Sequence, residues 1–147
     1  MIARRRPGLM LAAFLLGVLN CAGGGSGLDR IGNPLGTNIS DLGPNLSSIQ
    51  AKILTPICAQ CHTGAAAPLG LRFDNGASWA ELVGVPSIEM PEMMRVQPGD
   101  PETSYLVWKI EGRAKITGGQ MPLALAALTA DEIQAIRGWI ANGAEDD

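Results

Sequence analysis

Cys58-Ala59-Gln60-Cys61-His62 sets two thiols three positions apart, with a histidine directly after the second. This pattern matches the attachment site of a c-type haem. Each residue type has a chemical task there: a thiol adds across a haem vinyl group to form a thioether, and a neutral imidazole nitrogen binds iron. Thiols three apart on one helical turn lie on the same face, while the next residue aims its side chain at the metal. Three other readings compete for the same residues. Zinc needs four protein ligands, or three and a water, and the whole chain offers three cysteines and one histidine. With Cys21 used elsewhere, no second ligand pair remains. A thioredoxin-like pair belongs at a helix start after a strand, within a strand-rich sequence, whereas these flanks read as helical. The third reading is chance placement in a structural turn.

The elements that must position this stretch follow from local pattern. Ser47 and Gln50 are spaced as a capping box, and Ile49 and Ile53 share a helical face, so a first helix is expected from about Ser47. Pro56 ends or kinks it just before the cysteines, which this helix therefore delivers. Thr63 to Leu71 must then turn back as a loop, with Leu69, Leu71 and Phe73 lining the proximal side of the bound group. An imidazole ligand also needs a partner for its other ring nitrogen. Ser78 to Val83 carries Trp79 and Leu82 at helical spacing and predicts a short helix starting at Ser78. The irregular segment 86–98 holds Met90, Met93 and Met94, whose thioethers bind haem iron but also serve as adaptable core filler.

Further along, Asp100-Pro101-Glu102 reads as a helix start: a capping aspartate, a proline at the first helical position and a glutamate near the positive dipole end. A helix of about ten residues should follow. It ends near Gly112, with Leu106, Ile110 and Trp108 packing on the first and last helices. In Gly118-Gly119-Gln120-Met121-Pro122 a glycine-flexible loop can carry a side chain across a haem plane, and Pro122 keeps Met121 extended. The last helix opens on a Thr129/Glu132 capping box, repeats Ile133, Ile136 and Ile140 on one face with Trp139 beside it, and stops at Asn142-Gly143. Glu145-Asp146-Asp147 reads as an exposed acidic end.

The 147 residues suffice for one modest domain with appendages, and the apolar fraction of 46% argues against global disorder. Arg4, Arg5 and Arg6 precede an apolar or small run from Leu9 to Leu19, too short to span a bilayer and suited to a signal peptide. Val18-Leu19-Asn20-Cys21 resembles a bacterial lipobox, departing from it at Leu19 and Asn20. That resemblance implies lipidation at Cys21, the alternative being ordinary cleavage nearby. Gly23 to Gly27 and the turn formers after it read as a flexible tether, spanning roughly 25–30 Å root-mean-square. The expected organisation is a signal peptide over 1–20, an anchor site and linker over 21–45, and a domain over 46–147. Removing the leader strips three arginines from a chain already holding 14 acidic against 11 basic residues. Nucleic acid is thereby disfavoured as a partner, since phosphate contact needs a basic patch.

Taken in order, Cys58 to His62, Val96 to Leu106, Met121-Pro122, and Leu128 to Glu132 running into Trp139 to Ala144 resemble a single-haem cytochrome c domain. The likeness runs from about Leu46 to Ala144 and is greatest to the variety called planctomycete-type. It implies an all-α fold of about four short helices packed around one covalently attached haem c. His62 and Met121 would be the iron ligands, with Met90, Met93, Met94 or an open position as alternatives to Met121. The resemblance also implies that the Pro68 carbonyl holds the second imidazole nitrogen, against the reading of a plain loop proline. Trp139 would pack near the haem where the first and last helices cross. Arg95, Arg113 and Lys115 are candidates for neutralising haem propionates, against ordinary solvated surface charge.

The function so implied is electron transfer rather than enzymatic turnover. A monomeric, exported lipoprotein, anchored to a membrane through Cys21 and facing the periplasm, would pass single electrons from a redox-protein donor to an acceptor. A His/Met pair raises the potential and leaves no vacant iron site. The alternatives are a haem peroxidase or the electron-entry subunit of a periplasmic dehydrogenase. A peroxidase wants a distal acid-base residue, and the chain has no second histidine to supply one. A non-haem structural or thiol protein is the third class.

Overall fold

The computed structural model describes residues 41–147. The expected signal peptide, Cys21 and all but the end of the tether lie outside the described residues. Four α-helices order the described residues: α1 (Leu46–Ile49), α2 (Ser78–Leu82), α3 (Tyr105–Glu111) and α4 (Ala130–Ala141). Among the described residues, β pairing is limited to isolated bridges, such as Met94 with Ser104, in keeping with the all-α expectation. No helix among them is long and apolar enough to cross a membrane.

The start of the first helix differs from the Ser47/Gln50 capping box expected for it. Asn45 is the cap: its backbone is extended and its side chain accepts the Ser48 N–H at 2.9 Å. The acidic end supplies the rest. Asp147 accepts the N–H groups of Leu46 (2.6 Å) and Ser47 (3.2 Å) and the Ser47 hydroxyl (2.8 Å). Orphan donors at a helix start are thus satisfied by a side chain about a hundred residues away. Gln50, no longer needed as a cap, is buried and donates to Thr55 Oγ1 and the Phe73 carbonyl. The helix then widens into a π-helical turn, Gln50–Leu54, before Pro56 breaks it.

The bonds to Asp147, chiefly that from the Ser47 hydroxyl, hold its carboxyl below the usual carboxylate range. A carboxylate depressed in the folded state stabilises only while ionised. Its contribution is present above the unfolded value of about 4 and lost as pH falls through the lower folded value. Asp147→Asn is therefore expected to lower the urea midpoint at neutral pH and to lower it by less at about pH 2. An equal loss at both pH values would exclude the charge as the cause.

The third helix is shorter than expected. Asp100 caps a 3-10 turn, Pro101–Thr103, by accepting the Glu102 and Thr103 N–H groups. Ser104 then turns extended, and α3 starts only at Tyr105. Tertiary pairing imposes the break: Tyr105 and Leu106 donate to the Met94 and Arg95 carbonyls at 2.9 Å each, which a continuous helix would forbid. Gly112, left-handed at φ 68°, ends α3 where the sequence placed its end. Trp108 does not join the core. It is half-buried, donates to the Glu102 carbonyl and stacks under Arg113 at 5.4 Å, while Val107 and Ile110 take the inward positions.

The α4 helix forms as expected, with the Thr129/Glu132 box bonded in both directions and Asn142 at its end. Its Ala135, Ile136, Trp139 and Ile140 meet Ile49, Ile53 and Leu54 of the first helical segment and Val107 and Ile110 of α3 in one core. Gly138 lets Pro44 approach: a Cβ there would sit 2.8 Å from the proline ring.

Candidate functional site

Pro56 has no N–H, and the chain tightens after it into a 3-10 turn, Cys58–Gln60, with Cys61 at its end. The Cys58 carbonyl accepts the N–H groups of Cys61 (3.2 Å) and His62 (3.0 Å), and the Gln60 side chain ties the turn back to the Pro56 carbonyl at 2.7 Å. Side chains three apart eclipse one another in such a turn, so the two cysteines share a face. Both are free thiols, Cys58 half-buried and Cys61 exposed. Burial, helped by the charge of Glu132, pushes the Cys58 thiol up to about 12. An activated redox thiol is shifted the other way, so this environment does not suit a thioredoxin-like nucleophile.

The imidazole of His62 is fixed from two sides. Its Nδ1 lies 3.1 Å from the Leu71 carbonyl, and the Phe73 ring meets it edge-on with centroids 5.4 Å apart. A carbonyl only accepts, so Nδ1 carries the proton and Nε2 keeps its lone pair for a metal. The backbone repeats the clamp, with the Phe73 N–H donating to the His62 carbonyl at 2.8 Å. Asp74 secures the intervening loop by accepting the Thr63 hydroxyl and the Gly64 N–H. These bonds hold its carboxyl below the usual range.

Pro68 is therefore not the partner of the imidazole. It opens a 3-10 turn, Pro68–Gly70, and its carbonyl closes that turn by accepting the Leu71 N–H at 3.1 Å. Leu69 and Gly70, both at positive φ, reverse the chain, and the next carbonyl, that of Leu71, reaches His62. Of the side chains expected on this side, Phe73 is buried against His62, Leu71 is half-buried and Leu69 is exposed.

Met121 stands on a different element, the loop after α3, where it is half-buried. Its N–H donates to the Lys109 carbonyl at 2.9 Å, and the Gln120 side chain caps the Ile110 carbonyl at 2.8 Å. Both bonds fold the loop back onto the end of α3. Met90, Met93 and Met94 are half-buried in the segment that doubles back beside Val96. Trp139 is 2% exposed in the core, where its indole N–H donates to the Glu145 carbonyl at 2.9 Å.

The three candidates for propionate contacts have different surroundings. Arg95 is turned inward, donating to the carbonyls of Glu81 (2.8 Å) and Leu69 (3.1 Å), and so braces the loop after His62. Arg113 is paired with Glu102 and Glu111. Lys115 is exposed.

These residues fit a c-type haem. Two unbridged thiols share one turn beside an imidazole whose free nitrogen is set by the bond at the other. Among the described residues, no three His, Cys, Asp or Glu side chains gather as ligands of a single ion. Cys58, Ala59, Leu71, Leu106 and Ile133 are among the half-buried apolar groups packed against the core. Leu123 and Leu125, close after Met121, are exposed and apolar as well. Sequence reasoning had missed the Leu71 carbonyl as the partner of His62, Arg95 as a brace, and Lys109. The last was open to it, because a lysine four positions after Tyr105 falls among the inward positions of α3. Compared with family models, curated proteins and solved structures, the chain finds no match.

Proposed function

We propose that residues 46–147 form a single-haem cytochrome c domain that passes one electron at a time between redox proteins. The observation that carries this reading is the Leu71 carbonyl on His62 Nδ1, beside two free thiols on one turn. His62 and Met121 would ligate the iron, Cys58 and Cys61 would hold the macrocycle, and the bound haem would supply the one-electron couple.

The chain's own residues keep that centre from rearranging. Leu71 and Phe73 fix the plane of the His62 ring, and the Lys109 carbonyl fixes the backbone of Met121. Were His62 and Met121 both to hold the iron, no vacant position would remain, which favours a carrier over a peroxidase. The expected export signal and tether would place the domain at a membrane, facing the periplasm.

Expressed with a c-type maturation system, the chain is expected to take up one haem and titrate reversibly with one electron. Sustained peroxide turnover by the intact protein would replace the carrier with a peroxidase.

A further inference from the structure

Lys109 is buried to 7% exposure on α3, where three segments meet. Its ammonium lies 3.1 Å from a carboxylate oxygen of Glu89 and donates to the Thr117 carbonyl at 2.7 Å. It also lies 5.9 Å from the centroid of the Tyr105 ring. Thr117 is gripped three times over. Its N–H donates to the Tyr105 hydroxyl at 3.0 Å, its hydroxyl donates to the Glu89 carbonyl at 3.4 Å, and its carbonyl takes the lysine. The same lysine's backbone carbonyl accepts the Met121 N–H.

Packing alone does not call for a charge here. Taking an ammonium out of water is costly, and a methionine would fill similar space without that cost. What methionine cannot do is hold the Thr117 carbonyl, four residues before Met121. We infer that Lys109, oriented by Glu89, is a positioning residue that latches the 113–122 loop to α3 and so sets how readily Met121 leaves iron. The inference rests on the reading of Met121 as the sixth ligand. The bond to the Thr117 carbonyl and the bond to the Met121 N–H bracket the glycine pair Gly118-Gly119. Without the first, the loop keeps the two other Thr117 bonds and those of Gln120 and Met121, so it loosens at the glycines rather than coming free.

The test uses the ferric holoprotein with imidazole as a small competing ligand. Lys109→Met is expected to keep its covalent haem and helical circular dichroism, yet to bind imidazole about tenfold more tightly than the parent. Amide exchange at Thr117 and Met121 should quicken, while that in α4 stays unchanged. Glu89→Gln, which keeps the ammonium in place, should shift affinity the same way by less, and it carries the test if Lys109→Met does not fold. Parental affinity in both variants, with Met121→Ala altering the spectrum, overturns the latch and leaves the ligand reading intact. An unchanged spectrum in Met121→Ala overturns the ligand reading and the latch with it.

Discussion

Met121→Ala in the haem-loaded protein is expected to retain the covalent haem, lose the Met–iron absorption, and fall in reduction potential by on the order of 0.1–0.3 V. That is a fraction of the span of about 0.8 V over which axial ligands set haem potentials. The direction follows from chemistry: a thioether opposite the imidazole raises the potential, and its loss admits water or an added ligand. The Met121 side chain can be removed without disturbing the loop's anchors, because those are the Met121 N–H, the Gln120 amide and the groups of Thr117. A spectrum and potential equal to the parent's would assign the sixth position to Met90, Met93, Met94 or no methionine.

Trp139→Ala is expected to cost about 3–5 kcal/mol, the range for truncating a large buried aromatic residue. Trp139 is 2% exposed in the core that α4 shares with α3 and the first helical segment, so little around it can close over the void. Trp139→Phe separates packing from polarity. It keeps most of the apolar contact and leaves the Glu145 carbonyl without its indole donor, at a cost of about 1–2 kcal/mol. Chemical denaturation of the three proteins gives both numbers. Equal losses in the two variants would mean that the hydrogen bond, not the packing, holds the C-terminal segment.

How far the sequence revealed this structure depended on the range of the interactions involved. The α4 helix was readable to its ends because each end is set locally, by Thr129 with Glu132 at its start and by Asn142 with Gly143 at its close. The start of α1 was not, because half of its cap comes from Asp147, and no local window contains both. The length of α3 was misjudged for a similar reason: the Asp100-Pro101-Glu102 signal is real, but backbone pairing with Met94 and Arg95 interrupts the helix it announces.

The candidate site divides in the same way. Cys58, Cys61 and His62 carry their chemistry in side chains and were visible at once. The partner of His62 is a backbone carbonyl, a group that nearly every position offers. Only the loop's reversal at Leu69 and Gly70 decides that Leu71, and not Pro68, presents it. Lys109 was legible as a charge among inward positions, yet its meaning depends on Glu89 and Thr117, which the fold brings to it.

The most direct test is the intact mass of the chain after co-expression with a c-type maturation system and full denaturation. A gain of one haem, lost when Cys58 and Cys61 are both replaced by alanine, is the predicted result. A chain that leaves the same system with two free thiols and no added mass would contradict it.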